Sequence, residues 1–204
     1  SLNFSGVSGS KSADLKQVEQ MIKKIRNLTK LPICSGFGIK TPEEAKEVAS
    51  SGCDGVVVGS SIVEYIEKNT NDKNLTQNVG KLIKSLKDSD LYENSLIIFT
   101  SDNGGLSTLK RIAPTSVYPL RAGKGWLYEG GIRIPQLIKS PGNTKNVMVN
   151  DITASYDLFP TILDFTGIKN NIDIDGISLT PILNRQSEID REDVFWHFPH
   201  YHGS

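Results

Sequence analysis

Asp102 and Asn103 follow, after Ser101, on the apolar run Leu96-Ile97-Ile98-Phe99-Thr100. A carboxylate and an amide oxygen at the C-terminal end of a strand are hard donors, the type that suits Ca²⁺ or Mg²⁺. The same residues also make an ordinary Asp-Asn-Gly turn. Lys124 stands in Ala122-Gly123-Lys124-Gly125-Trp126. Between two glycines an ammonium reaches an oxyanion unobstructed; a solvated loop lysine is the plainer reading. Three glycine-bearing turns, Gly6-Val7-Ser8-Gly9, Gly36-Phe37-Gly38 and Gly59-Ser60-Ser61, lie in the first half. Glycine lets backbone N–H groups approach an anion, and a helix start at Gly59-Ser60-Ser61 adds its dipole. Alternatively these glycines only make tight turns. Trp196-His197-Phe198-Pro199-His200-Tyr201-His202 places three histidines beside aromatics. It suits a metal or a stacked sugar, or is an exposed stretch without partners.

Composition narrows the classes. Among 204 residues, 23 are basic and 23 acidic, for a net charge of zero. Nucleic-acid binding needs a basic excess, so that class is disfavoured. A 37% hydrophobic content supplies a core and excludes a disordered chain. The longest apolar run, Leu96 to Phe99, falls far short of the roughly 20 residues of a membrane span. No signal peptide is visible, and the start, which lacks Met and begins mid-pattern, reads as that of a fragment. Cys34 and Cys53 are too few for a disulfide scaffold or a multi-cysteine zinc site and read as small, buried, reduced residues. The length fits one medium domain or two small ones.

The elements that must position these groups differ between the halves. In the first, Leu15, Val18, Met21, Ile22 and Ile25 recur at helical spacing and predict a helix over 14–28. Leu31 to Ser35 and Gly55 to Val58 predict short buried strands. Thr41-Pro42-Glu43-Glu44 opens a helix that ends at Gly52, and further helices are expected over 62–68 and about 75–87. Apolar strands alternating with helices imply a parallel sheet covered on both faces. In the second half, 96–100 is a strong strand, 106–131 a long loop, 132–138 a strand, and 157–165 a helix closed at Gly167 despite Pro160.

Residues 1 to about 87 resemble the C-terminal part of the tryptophan synthase alpha subunit. The carrying residues are Gly6-Val7-Ser8-Gly9, Gly36-Phe37-Gly38-Ile39 with Pro42-Glu43, and Gly55-Val56-Val57-Val58-Gly59-Ser60-Ser61-Ile62-Val63. The family is a (β/α)8 barrel that cleaves indole-3-glycerol phosphate and pairs with a beta subunit. The resemblance implies that the backbone of Gly9, Gly38, Gly59 and Ser60 holds the substrate's phosphate, in line with the habit of such barrels. The family's catalytic glutamate and aspartate have no match here. Only the last two βα units are represented, which leaves strand edges bare.

Residues from about 90 to 204 resemble the latter part of a type I sulfatase of the alkaline-phosphatase superfamily. The motifs are Leu91-Tyr92-Glu93-Asn94-Ser95 through Ser101-Asp102-Asn103-Gly104-Gly105, Pro119-Leu120-Arg121-Ala122-Gly123-Lys124-Gly125, and Tyr128-Glu129-Gly130-Gly131-Ile132-Arg133-Ile134-Pro135. Asp157-Leu158-Phe159-Pro160-Thr161-Ile162-Leu163 and Asp175-Gly176-Ile177-Ser178-Leu179 complete them. The resemblance implies calcium ligands at Asp102 and Asn103 and a sulfate contact at Lys124. The family's nucleophile is a formylglycine made in a Cys/Ser-x-Pro-Ser-Arg motif. Neither Cys34 (Cys-Ser-Gly-Phe-Gly) nor Cys53 (Cys-Asp-Gly-Val-Val) has that context.

The expected fold class is therefore α/β: a partial (β/α)8-barrel fragment over 1–88, then a partial alkaline-phosphatase-like sulfatase fragment over 89–204. The expected function is a fusion of two enzyme fragments, sulfuric ester hydrolase-like and indole-3-glycerol phosphate lyase-like, that is catalytically incomplete. A non-catalytic phosphate or sulfate binder, and a subunit completed by another chain, are the alternatives. The expected partner is a small anionic ester, with neither nucleic acid nor membrane. By resemblance the first half is cytoplasmic and the second exported.

Overall fold

The computed structural model describes residues 15–36, 39, 41–85, 92–109, 112–143, 146–169, 171 and 173–199. The chain divides into two compact units between Asn94 and Ser95. Both are mixed α/β with small sheets.

The first unit runs α1 (Leu15–Arg26), β1 (Cys34–Ser35), α2 (Pro42–Ser50), β2 (Gly55–Val56), α3 (Ser60–Lys68) and α4 (Leu75–Ser85). On α1 the apolar residues fall three and four apart, and Ile22 is buried. Thr41 caps α2 through a reciprocal box: its hydroxyl accepts from the Glu44 N–H, and the Glu44 carboxylate accepts from the Thr41 N–H. Gly52, at φ 92, turns the chain after α2, a conformation that glycine adopts without steric cost. Ile39, Ala45 and Val48 form the core, with Leu15, Val18, Cys53, Val56 and Val58 packed on it. Asp54 ties α1 to the sheet, accepting from the Ile33 N–H at 2.8 Å and from the Arg26 guanidinium. Burial pushes its carboxyl up, but those hydrogen bonds outweigh burial and hold it below the usual carboxylate range.

β1 and β2 pair in parallel, Cys34 with Gly55 and Ser35 with Val56. Parallel pairing matches the expectation; coverage of both faces does not. Each strand is two residues long, Cys34 is exposed, and Val57 just beyond β2 is 57% exposed. A two-stranded sheet among the described residues lacks the neighbouring strands that would bury these positions. Cys34 thus departs from the expected buried thiol, and Cys53 is half-buried; both are free.

The second unit runs β3 (Ile97–Thr100), α5 (Glu129–Ile132), β4 (Gln136–Lys139), a 3-10 turn (Ser155–Asp157), α6 (Leu158–Thr166) and α7 (Thr180–Leu183). β3 and β4 are antiparallel, with Ile97 opposite Lys139 and Phe99 opposite Leu137. The strand expected over 132–138 starts at Gln136 instead. The Gly131 and Ile132 N–H groups bond the Tyr128 carbonyl and close α5, so the chain turns where a ladder was expected. Pro160 lies in the first turn of α6, where its missing N–H leaves no bond unmade. Gly167, at φ 69, ends that helix in the left-handed conformation that glycine favours there. Ala154, Leu163 and Leu179 are buried around Thr161 and Asp157. The Thr161 hydroxyl donates to the Asp157 carbonyl at 2.6 Å and accepts from the Leu179 N–H at 2.8 Å. α7 carries no periodic apolar signal and was not expected; it packs on α6.

Candidate functional site

In the second unit β3 delivers Ser101, Asp102 and Asn103 to its C-terminal end. The Ser101 hydroxyl donates to the Asn103 carbonyl at 2.8 Å. Immediately beyond, the Gly104 N–H bonds the Gly131 carbonyl at 2.9 Å, and the Gly105 carbonyl accepts from the Lys124 N–H at 2.9 Å. The structure therefore brings the Asp102–Asn103 segment and the Lys124 loop together through the main chain. The Ser107 hydroxyl adds a bond to the Ala122 carbonyl at 2.8 Å, and the Gly130 N–H bonds the Arg121 carbonyl at 2.8 Å.

Glycine is required at this junction because backbone meets backbone. A Cβ on Gly104 would overlap the Gly130 carbonyl, and one on Gly131 would overlap the Trp126 and Gly123 carbonyls. Gly123 and Gly130 are pressed in the same way on Gly105 and on Arg121–Ala122. Ala122 is held at φ 60, a sparsely populated conformation for a residue with a Cβ, and Gly125 at φ 91. On this floor the Lys124 and Asp102 side chains are exposed and Asn103 is half-buried. No ion pair among the described residues consumes Lys124 or Asp102.

The arrangement presents one ammonium and two hard oxygen donors at adjoining loops. Ca²⁺ takes 6–8 oxygens. Among the described residues no group of three or more His, Cys, Asp or Glu is gathered that could hold a metal. The donors fit calcium in type and fall short in number, so no chemical step is assigned to it. The hydroxyls of Ser101 and Ser107 each donate to a backbone carbonyl.

In the first unit the parallel pairing sends the C-terminal ends of β1 and β2 the same way. Gly36 follows β1 and packs on Val57, its ideal Cβ position 3.2 Å from the Val57 Cβ. Gly59 caps α3 and its carbonyl accepts from the Ile62 and Val63 N–H groups. A Cβ on Gly59 would meet nothing within 4 Å. The Ser61 hydroxyl is buried with no hydrogen-bond partner among the described residues. Gly9 and Gly38 lie outside the described residues, as does the Ser60 side chain. So do His200, Tyr201 and His202, while Trp196 and Phe198 are 49% and 46% exposed. A depression of about 460 Å³ on the C-terminal part of α6, lined by Pro160, Leu163 and Lys169, shares no residue with either site.

Sequence reasoning passed over two features. Asp157 and Arg191 form a buried pair 34 residues apart, and no local signal announces it. Arg121, Trp126 and Tyr128 form an aromatic and cationic group beside Lys124. The Arg121 guanidinium lies 3.7 Å from the centre of the Tyr128 ring, and the Trp126 and Tyr128 rings are 6.5 Å apart at 20°.

The folds and loops define a two-part α/β chain with glycine-bearing turns in each part. Comparison with known proteins assigns the parts. Residues 1–90 match the family model for the tryptophan synthase alpha chain, and residues 69–168 match the model for sulfatases. A tryptophan synthase alpha chain of Desulfatibacillum aliphaticivorans is 41% identical over 86 residues, covering 42% of this chain and 32% of that one. A sulfatase of Formosa agariphila is 34% identical over 174 residues, covering 78% of this chain and 30% of the relative. Human arylsulfatase A is 36% identical over 124 residues, covering 60% and 24%. The chain thus spans about a third or less of the length of each of these relatives. The two matched ranges overlap over 69–90, so α4 falls within both. No described helix is long and apolar enough to cross a membrane.

Proposed function

We propose that the chain joins a barrel fragment, over 1–88, to a sulfatase fragment, over 89–204, and that the second retains the oxyanion-holding part of a sulfate-ester site without its nucleophile. The observation that supports this reading is the main-chain lock between Gly104–Gly105 and the Lys124 loop, which holds the Lys124 backbone against the segment that follows Asp102 and Asn103 and leaves the lysine side chain exposed. By likeness to the sulfatases the ester group would face Lys124, and a calcium ion would use Asp102 and Asn103 with ligands this chain does not supply. By likeness to the tryptophan synthase alpha chain, the backbone at Gly59 and Ser60, with Gly9 and Gly38, would hold a phosphate. A beta-subunit partner belongs to that parent family alone.

Electrostatic catalysis needs the nucleophile and the stabilising donors held together. Neither cysteine lies in the second unit, and Ser101 and Ser107 are engaged with carbonyls. The purified chain should therefore bind inorganic sulfate weakly through Lys124 and leave 4-nitrophenyl sulfate intact, with or without calcium. Calcium-dependent turnover that Lys124→Ala abolishes would overturn the incomplete-site reading. A second reading, completion by another chain, draws on Phe99 and Leu137. These two face each other across β3 and β4 and are 50% and 68% exposed. A defined heteromeric species with sulfatase activity would favour it.

A further inference from the structure

Asn103-Gly104 is the only Asn-Gly step in the sequence. In any asparagine the side-chain amide carbon lies within reach of the next residue's main-chain nitrogen. Glycine in that next place has no side chain to hinder the approach, which makes Asn-Gly a labile dipeptide. The fold leaves no other choice at 104. A Cβ there would fall on the Gly130 carbonyl and stand 2.9 Å from the Gly131 Cα. The packing that closes these loops therefore writes the labile step into the chain.

The same packing ties that peptide group at both ends. The Ser101 hydroxyl donates to the Asn103 carbonyl at 2.8 Å. The Gly104 N–H donates to the Gly131 carbonyl at 2.9 Å, and the Gly131 N–H in turn donates to the Tyr128 carbonyl at 2.7 Å. Gly104 is buried and Asn103 half-buried. Attack on the Asn103 amide needs the Gly104 nitrogen to give up its proton and to turn toward Cγ. Both need the Gly104–Gly131 bond to open.

We propose that Asn103 is a site of spontaneous deamidation, gated by the Gly104–Gly131 hydrogen bond. Once that bond opens, hydroxide takes the Gly104 N–H proton and the nitrogen bonds to Asn103 Cγ. The Cγ–Nδ2 bond breaks, and its nitrogen leaves as ammonia with a proton from water. Water then opens the succinimide at either carbonyl, which leaves aspartate or isoaspartate at position 103. Water and hydroxide are the only co-reactants. Either product sets a second carboxylate beside Asp102. The reaction asks nothing of Lys124, so its outcome is independent of the ester-site reading.

The test incubates the full chain in mildly alkaline buffer, folded and in concentrated urea, and follows the amide-to-acid mass change at Asn103 by peptide mapping with tandem mass spectrometry. The unfolded chain should deamidate there at least about ten-fold faster than the folded one. That ratio should agree, within about three-fold, with the protection of the Gly104 N–H against hydrogen exchange, because both count the same open state. Gly131→Ala, which displaces the main chain at the lock, should raise the folded-state rate about ten-fold. Gly142→Ala, whose Cβ would meet open space, should leave the rate within about two-fold. No deamidation at Asn103 in urea overturns the site. Deamidation of the folded chain faster than the Gly104 exchange allows overturns the gate, and this comparison needs no variant to fold. Equal acceleration in Gly131→Ala and Gly142→Ala assigns protection to the whole unit and overturns the role of this bond.

Discussion

Asp157 and Arg191 face each other as a fork-to-fork pair in the core of the second unit, at 2.6 and 2.7 Å. Asp157 has no solvent exposure, and the Arg191 side chain is 8% exposed. The remaining lone pairs of the carboxylate accept from the Ala154 N–H at 2.7 Å and the Ile177 N–H at 2.9 Å. One side chain thus holds the start of α6, the strap at Ile177 and the segment around Arg191.

A buried charge stripped of its partner is costly. Arg191→Met should destabilise the second unit by about 3–5 kcal/mol, and Asp157→Asn by a similar amount. The double variant should be less destabilised than the sum, because neither charge is then left alone. Both tryptophans, Trp126 and Trp196, lie in this unit, so their fluorescence in a urea titration reads it selectively.

The same pair sets an acid limit. Burial pushes the Asp157 carboxyl up, but the Arg191 hydrogen bonds and the two N–H donors more than offset this and hold it below the usual range. A depressed carboxyl contributes stability above its unfolded value, about 3.9, and that stability is lost as pH falls through the lower folded value. The raised Arg191 contributes below its own unfolded value and is lost only in strong alkali. The urea midpoint should therefore fall below about pH 4, and more gently in Asp157→Asn. An identical acid limb in that variant would assign the effect to other groups.

Gly104 and Gly131 make a third prediction. Gly104→Ala places a methyl group on the Gly130 carbonyl, and Gly131→Ala places one on the Trp126 and Gly123 carbonyls, so either one must displace main chain. The expected cost is about 3 kcal/mol, measured in the same titration. Gly142→Ala is the control. It too has a positive φ, 70, but a Cβ there would meet open space. Its loss should be the smaller, confined to backbone strain.

Where the fold depends on near neighbours in the chain, it was readable. The spacing of Leu15, Val18, Ile22 and Ile25 marked α1 to within two residues, Thr41 and Glu44 marked the start of α2, and Gly167 marked the end of α6. Where it depends on distant segments, it was not. The burial of the strands at Cys34 and Gly55 needs further strands beside them, and no periodicity within five residues reports whether those exist. Asp102, Asn103 and Lys124 were legible as chemistry but not as neighbours. Gly104 finds its reason for being glycine at Gly130 and Gly131, and Asp157 finds its counter-charge at Arg191.

Thr41→Ala tests the helix start of the first unit alone. It removes a hydroxyl that accepts from the Glu44 N–H at 3.1 Å and leaves in place the bond from the main-chain N–H of residue 41 to the Glu44 carboxylate. The loss should be about 1 kcal/mol. The second unit's tryptophan transition should not move; far-ultraviolet circular dichroism during thermal unfolding should register the change.

Gly59→Val separates the phosphate cradle from the fold. Gly59 caps α3 at φ −117, a backbone conformation open to any residue, and a Cβ there would meet nothing within 4 Å. Valine should therefore be accommodated, at about 1 kcal/mol for a poorer helix cap. Its branched side chain would occupy the space before the first N–H groups of α3, where an anion would meet the helix dipole. Weak binding of inorganic phosphate, followed by ³¹P line broadening on the full chain, should disappear in Gly59→Val while the α-helical signal persists. Phosphate binding that survives valine at this position would remove the α3 terminus from the cradle, whatever Gly9 and Gly38 contribute.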